Sequence, residues 1–430
     1  VRLSGAATRA ALTAIAGDLP PPRQAALRSL RDPATGEVID RGLVLWFPAP
    51  HSYTGEDLAE LHVHGGRAVL DGLFRVLARQ PGLRMAAAGE FTRRAVANGK
   101  LDLTAAEGVG DLIAAETAAQ RRQALRQADG HLARIYAGWS AGLVSVLAYM
   151  EAWLDFPDED LPESLVPETT ARLLALRGEI AAHLSDARQG ERVRTGLQVA
   201  IVGAPNAGKS TLLNALAQRD VAIVTAEPGT TRDVLEVQLD LDGHAVTLLD
   251  TAGLRETDSV VEREGIRRAR QRAAGADVVL HLVEAGQAFG PLELDLAEGA
   301  ELPPTVVQVR SKVDLPHGTD PQDMVSSSVI ALSVMTGVGL PRLLDCLAGL
   351  ARELTATGGT APPTRWRHRE SLGHAVTALV RAEEGLKSGL PLELVGEDLR
   401  IAVRALGRIT GAVDVEDLLD IIFRDFCIGK

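Results

Sequence analysis

Cysteine, an excess of basic charge and long apolar runs are what this sequence has least of. Cys346 and Cys427 are the only two cysteines in 430 residues, and they lie far apart, so no disulfide framework can staple the chain. No apolar run reaches the roughly 20 residues that a membrane helix needs, which excludes a membrane-inserted chain. Lys and Arg number 45 against 57 Asp and Glu, a formal net charge of −12. That balance rules out wholesale coating of nucleic acid by a basic surface, while a local basic patch stays open. There is no internal repeat, no low-complexity tract and no signal-peptide pattern, so a globular protein of the cytoplasm is expected. The opening Val1-Arg2-Leu3-Ser4-Gly5 reads as the end of a strand, and an N-terminal stretch ahead of it is expected to be missing.

What is there supports a sizeable core: 46% of residues are hydrophobic and 24% charged. A chain of this length exceeds one ordinary core, so two or three domains are expected. Residues 1–100 mix a strand-like run at 42–47 with helix-like stretches at 57–60 and 67–77, a small α+β domain. Residues 101–194 turn to Ala, Leu, Glu, Arg and Gln at three-to-four spacing, interrupted by Asp155-Phe156-Pro157-Asp158, Pro162 and Pro167. These read as long antiparallel helices. At 197–203 a buried-strand run begins, and strand and helix signals alternate from there, giving an α/β domain over 195–353. Residues 355–363 have the Thr, Gly and Pro composition of a linker, and the helical pattern resumes over 369–426 within a second helical part, 354–430. The fold class is thus multidomain α+β, with the α/β domain inserted into, or flanked by, one helical layer.

The sharpest chemistry is Gly203-Ala204-Pro205-Asn206-Ala207-Gly208-Lys209-Ser210, which follows a strand-like run and opens a helix at Thr211-Leu212-Leu213-Asn214. A chance glycine-rich turn does not carry strand, loop, Lys-Ser and helix in that order. Glycines let backbone N–H groups, including those of Ala207 and Gly208, turn around a β-phosphate, and the helix dipole favours the anion. Lys209 reaches the β- and γ-phosphates and Ser210 can ligate Mg²⁺. Downstream, Gly229-Thr230-Thr231-Arg232-Asp233 offers hydroxyls to the metal shell, and Asp250-Thr251-Ala252-Gly253 closes a strand with a carboxylate and a glycine able to sense the γ-phosphate. In Arg310-Ser311-Lys312-Val313-Asp314, Asp314 can accept from guanine N1 and N2 and Lys312 can pack its stem over the base. Ser311 stands where GTPases carry Asn, a shorter group with one donor, which predicts a weakened guanine contact. Ser333 and Val334 resemble the last guanine-contact loop, where a backbone N–H is used. Asp314 and the Asp-x-x-Gly element favour GTP over ATP. Leu254, next in line, cannot orient water as the Gln of Ras-like enzymes does, so the acidic run from Glu256 to Glu262 is the source to consider.

The whole pattern resembles one family, the bacterial and organellar tRNA-modification GTPases MnmE, also called TrmE. The resemblance rests on Phe47-Pro48, Ser52-Tyr53-Thr54-Gly55-Glu56-Asp57, His64-Gly65-Gly66, Gly89-Glu90-Phe91-Thr92-Arg93-Arg94-Ala95, Asn98-Gly99-Lys100-Leu101-Asp102-Leu103 and the terminal Phe426-Cys427-Ile428-Gly429-Lys430. It implies an N-terminal α+β domain that forms a homodimer and binds 5-formyl- or 5,10-methylene-tetrahydrofolate, with Arg2, Glu60, Lys100 and Lys430 at the folate contacts, followed by a discontinuous all-α helical domain with an inserted Ras-like P-loop G domain. It implies K⁺ at Asn206, Thr225, Glu227 and Thr230, Mg²⁺ at Ser210 and Thr231, and Glu262 positioning the attacking water. Thr225, Thr230, Thr231, Asp250 and Gly253 would then line the GTP site with the phosphate loop. It further implies the FAD-dependent partner MnmG in a heterotetramer, tRNA as substrate, and aminomethyl-type groups placed on C5 of the wobble uridine. The competing reading is a GTP-dependent switch controlling an RNA or ribosome partner, with a vestigial folate site.

Two smaller features have plain readings. Cys427 can be a nucleophile, but a small apolar residue beside Phe423 and Phe426 is the commoner role for a free cysteine. Cys346 reads as core. His62 and His64 alternate as on one strand face, and no further ligand at the usual spacing completes a metal site, so they read as structural.

Overall fold

The structure, a computed structural model, describes residues 1–155, 165–204, 206–219, 221–223, 236–250, 275–290, 305–315, 329–356, 361–413 and 422. In chain order the elements are β1 (Arg2–Ser4), α1 (Thr8–Ala16), β2 (Ala26–Arg31), β3 (Val38–Phe47), β4 (Leu58–His62), α2 (Arg67–Ala78) and α3 (Glu90–Ala97). Then come α4 (Leu103–Ala114), α5 (Ala118–Ala128), α6 (His131–Asp155), α7 (Leu165–Ser185) and α8 (Ala187–Thr195). The α/β region supplies β5 (Leu197–Gly203), α9 (Lys209–Ala217), β6 (Glu236–Leu241), β7 (His244–Asp250), β8 (Val278–Glu284), β9 (Thr305–Ser311), β10 (Val329–Ala331) and α10 (Leu340–Leu354). α11 (Trp366–Ser388) and α12 (Leu392–Thr410) follow. Among the described residues no helix is long and apolar enough to cross a membrane. The chain divides into two compact units, one of Val1–Gly110, Gln127–Arg177 and His374–Lys430, the other of Asp111–Arg126 and Gly178–Gly373.

In the first unit an antiparallel sheet of order β1-β4-β3-β2 buries one face against α1 and α2. The alternation is that of a half-buried sheet: Val44 and Trp46 point into the core while Leu43 is exposed. Residues 57–60, read from sequence as helical, instead enter β4, with Ala59 and Leu61 buried and Glu60 between them. Four residues are too few to separate a period of 2 from one of 3.6, and β4 is decided by its two neighbours, β1 and β3, which hydrogen-bond it on both sides. The long helix α6 buries Leu132, Tyr136, Trp139, Leu143, Val146 and Met150 at three-to-four spacing. It packs along α12, whose Val395, Leu399, Ala402, Leu406 and Ile409 repeat at the same period. An Arg400–Glu151 ion pair at 2.6 Å joins the two helices.

The second unit holds a six-stranded sheet of order β10-β9-β8-β5-β7-β6. All neighbouring pairs are parallel except the β6–β7 hairpin. The central strands β5 and β8 read as near-continuous Val, Leu and Ile because both their faces are covered. Helical segments pack directly on this sheet. Ala119 N–H donates to Gly243 O at 2.9 Å, Gln123 Nε2 donates to Gly190 O at 2.9 Å, and Arg192 pairs with Asp277 at 2.7 Å. The 355–363 composition reads as a linker, yet Thr355, Ala361, Pro362 and Pro363 are buried. Pro363 lies so close to Gly190 that a Cβ there would fall 2.1 Å from its carbonyl oxygen. Composition reports backbone preference, and here the prolines serve packing. Cys346 packs on the sheet's core from α10, and burial pushes its thiol above the ordinary range.

Candidate functional site

β5 ends at Gly203 against β8, where a Cβ would fall 2.2 Å from the Leu282 carbonyl oxygen, so only glycine fits. The chain then turns through Asn206 (φ 68°) and Gly208 (φ 93°), both left-handed, into the N-terminus of α9. Lys209 is 7% exposed, and its Nζ donates to Gly203 O at 2.7 Å and Ala204 O at 2.9 Å. The ammonium is thereby held across the loop at a helix N-terminus, where anions are favoured. Ser210 and Thr211 follow in the first turn of α9, and the Asn206 side chain is exposed. Parallel pairing sets Asp250 at the end of β7 opposite Ile201, two residues before Gly203.

The stretch expected to read the base sits where β9 ends. Lys312 adopts φ 57° and its Nζ pairs with Glu284 at 3.1 Å. Asp314 lies exposed in the following turn, which is pinned by Val313 N–H to Leu332 O at 3.3 Å. Ser333 is fully buried; its Oγ accepts from Thr336 N–H at 3.2 Å, and Val334 packs on the core beneath. Ser311, read from sequence as a short base contact, is 4% exposed and directs its hydroxyl to Ala207 O at 2.7 Å. Thr225, Glu227, Thr230, Thr231, Gly253, Leu254, Glu262, Cys427 and Lys430 lie outside the described residues, as does the side chain of Asp250.

A second feature belongs to the N-terminal sheet. A cavity of about 710 Å³ opens beside β1, lined by Arg2, Glu60 and His62 among others. Arg2 donates from Nε and Nη2 to Glu60 Oε1 at 3.2 and 2.9 Å, and the register places the two residues directly opposite each other. His62 Nε2 lies 3.2 Å from the other Glu60 oxygen. Burial works against ionisation of Glu60, but His62 and Arg2 outweigh it and hold the carboxyl below its ordinary range. The structure therefore unites Arg2 and Glu60, whereas Lys100 is exposed, packs its stem by Gly55 and does not line the cavity.

The cavity also recruits residues to which the sequence assigns no role: Arg84, Glu90 and Arg94. Glu90 receives Arg84 at 2.6 and 2.8 Å and Arg94 Nη2 at 2.9 Å. Glu90 and Arg94 lie within a stretch that resembles the family, but nothing local marks Arg84. The Arg84 hydrogen bonds, together with the Ala87 N–H and Arg94, bring the Glu90 carboxyl down to about 2. Its folded value is depressed, so its contribution to stability is present above the ordinary 4.5 and drains as pH falls from 4.5 toward 2. Glu90→Gln should therefore lower unfolding stability most at and above pH 4.5, with the gap to wild type closing toward pH 2. Urea unfolding across that range measures it, and a gap independent of pH would show that Glu90 titrates normally.

Strand, phosphate loop, helix and a neighbouring strand ending in Asp250, with Lys312 and Asp314 beyond the next parallel strands, define the class: a P-loop nucleotide-binding protein of the GTPase kind. The flanking regions then specify the family. Residues 1–100 match the family described as "GTP-binding protein TrmE N-terminus" and residues 103–427 the "MnmE helical domain". The chain is 54% identical over 433 residues to the tRNA modification GTPase MnmE of Parvibaculum lavamentivorans, covering 100% of this chain and 96% of that one. It is 51% identical over 449 residues to that of Rhodospirillum rubrum, with 100% and 96% covered. With the Methylorubrum populi protein it shares 52% identity over 432 residues, covering 100% and 94%. This chain belongs to the MnmE (TrmE) family of tRNA-modification GTPases.

Proposed function

We propose that this chain is a potassium-activated GTPase. Together with the FAD-dependent MnmG, it would drive folate-dependent addition of (carboxymethyl)aminomethyl groups at C5 of the wobble uridine in certain tRNAs. The observation that carries the GTPase part is the Lys209 ammonium, fixed inside a glycine-bounded loop at the start of α9. The phosphates of GTP would exchange for the Gly203 and Ala204 carbonyls on that ammonium, and the Ala207 N–H, which donates to Ala204 O at 3.1 Å, would turn with that of Gly208 to the β-phosphate. The donor set fits the cations: Ser210 offers a hydroxyl one residue after Lys209, and Asn206 offers an exposed amide oxygen on the loop's left-handed turn. Mg²⁺ held by Ser210 and Thr231, and K⁺ held by Asn206, Thr225, Glu227 and Thr230, would supply positive charge against the γ-phosphate oxygens. Glu262 would orient the attacking water, the task Leu254 cannot perform, and Asp314 would read the guanine edge. A homodimer and a heterotetramer with MnmG would provide the setting in which two such domains approach each other.

Steady-state GTP hydrolysis in potassium and in sodium at matched ionic strength, with ATP as control, tests the reading. A large acceleration specific to potassium and GTP is expected. Equal, slow rates would instead favour a GTP switch acting on an RNA or ribosome partner. Glu262→Ala should keep GTP affinity and lose most turnover; an unchanged kcat would remove Glu262 from the mechanism.

The N-terminal cavity is the proposed site of 5-formyl- or 5,10-methylene-tetrahydrofolate, with Glu60 facing the pterin's N–H groups and Arg2 and Lys430 the glutamate or formyl oxygens; Lys100, outside the lining, would meet only a part of the ligand that projects beyond it. Its support is the mixture of a paired carboxylate, guanidinium groups and the rings of Phe74 and Phe91 in one opening. Arg2→Ala leaves Glu60 without its guanidinium partner, the His62 ring remaining 3.2 Å away, and should weaken 5-formyl-tetrahydrofolate binding by about tenfold in calorimetry. Undiminished binding would place the folate elsewhere.

A further inference from the structure

We infer that the outward face of α5 is a docking surface for the phosphate backbone of tRNA, with Arg121, Arg122 and Arg126 as the groups that meet it. The inference rests on the reading that tRNA is the substrate of this chain, and it goes beyond that reading by placing where the RNA lies.

A net charge of −12 leaves room only for a local basic patch, and α5 supplies one: its 11 residues hold three arginines and no acid. Arg121, Arg122, Leu125 and Arg126 are all exposed, and at helical spacing they share an arc of about 140°. The opposite face is committed to the protein. Ala119 and Ala124 are buried, while Gln120 and Gln123 donate from Nε2 to Arg194 O at 3.0 Å and Gly190 O at 2.9 Å on α8. A reciprocal cap fixes the helix start: Gln120 Oε1 accepts from Thr117 N–H at 3.0 Å, and Thr117 Oγ1 accepts from Gln120 N–H at 3.4 Å. The arginines therefore stand on a helix whose rotation is set by its other face.

Other arginines of the same unit are matched by acids: Arg192 pairs with Asp277 at 2.7 Å, Arg365 with Asp111 at 2.7 Å, Arg369 with Glu191 at 2.9 Å and Arg352 with Asp242 at 3.1 Å. Among the described residues none gives the side chains of Arg121, Arg122 or Arg126 a hydrogen bond or an ion pair. The flanking acids, Glu116 and Asp129, lie beyond the two ends of the helix. Because Gln120 meets Arg194 and Gln123 meets Gly190, α5 and α8 run in opposite directions, which brings the exposed Arg188 to the same end as Arg126. Positions three and four apart on a helix are about 5–6 Å apart at Cβ, and each guanidinium presents a fork of donors that matches phosphate oxygens. Successive backbone phosphates can thus be met by successive arginines. A protein partner would need an apolar anchor at the centre of its interface, and Leu125, the one apolar side chain on this arc, stands alone among charges. Contacts of this kind position the RNA without reading its sequence.

The test uses the full chain and a fluorescein-labelled tRNA transcript with an unmodified wobble uridine, binding being read by anisotropy across a salt series. Arg121→Gln, Arg122→Gln and Arg126→Gln together keep helix propensity and remove the charge. This triple variant should bind tRNA about tenfold or more weakly, and its log K against log salt should be shallower by about 2 to 3, one phosphate for each arginine. GTP hydrolysis without tRNA should stay at the wild-type rate. Lysine at the same three positions should keep the salt slope, and each single Gln variant should lower it by about 1. Three exposed cations of the first unit serve as the charge-matched control: Arg31→Gln, Arg67→Gln and Arg75→Gln together should leave tRNA affinity within about twofold. Unchanged tRNA binding in the α5 triple variant would overturn the proposal, and so would an equal loss in the control, which would make the effect one of net charge alone. Loss of binding to a polyglutamate peptide with tRNA binding intact would overturn it in favour of an acidic protein partner. Wild-type protein that binds no tRNA would overturn the tRNA reading and this inference with it.

Discussion

Lys209→Ala should reduce GTP hydrolysis by about a thousandfold or more, the scale expected when a fixed charge facing the transferred phosphate is removed. The side chain is nearly buried and its ammonium is held by two carbonyls of the same loop. The charge is therefore placed before a nucleotide arrives, and no reorganisation is needed at the moment of reaction. Alanine removes that charge and the ties that keep Gly203 and Ala204 turned inward, so GTP affinity should fall together with turnover. Steady-state kinetics with a calorimetric titration of GTP would measure both, and a thermal melt would show whether the change stays local. Hydrolysis at the wild-type rate would mean that the phosphates do not lie on this loop.

Asp314→Asn should lower GTP affinity by about a hundredfold or more while raising that for xanthosine triphosphate. On the proposed reading the carboxylate would accept from guanine N1–H and N2–H, whereas an amide would present a donor where xanthine carries an oxygen. The exchange then inverts the match instead of merely weakening it. Asp314 is exposed and its turn is held by backbone bonds, Val313 to Leu332 and Leu315 to Lys312, so the substitution leaves the turn's own hydrogen bonds in place. Competition between the two triphosphates is the measurement. An undisturbed GTP affinity would show that Asp314 does not read the base.

How legible each part was follows from how local its cause is. The phosphate loop was read directly because its requirements lie within eight consecutive residues: glycines for a left-handed turn and close approach, Lys209 for charge, and a helix start. The strand β5 was visible as an apolar run because it lies between β7 and β8 in a parallel sheet covered on both faces. β4 was misread because its identity depends on β1 and β3, which lie at residues 2–4 and 38–47, outside any local window. The cavity was half legible. Arg2 and Glu60 came through family resemblance, but Arg84 entered only because the chain after α2 returns its guanidinium to Glu90.

The sequence by itself determined the chemistry available: a phosphate loop, an aspartate placed as guanine readers are, helical flanks and a family. These follow from residue type and short spacing, which act through local backbone geometry and charge. Only the tertiary structure decided how Ser311 is used, that residues 361–363 are packed instead of free, and that Glu90 is held ionised between two arginines. Each of those depends on a partner tens of residues away or, for Arg84 and Glu90, on the particular turn between them, and a hydrogen bond or a desolvated charge has no meaning until both partners are brought together.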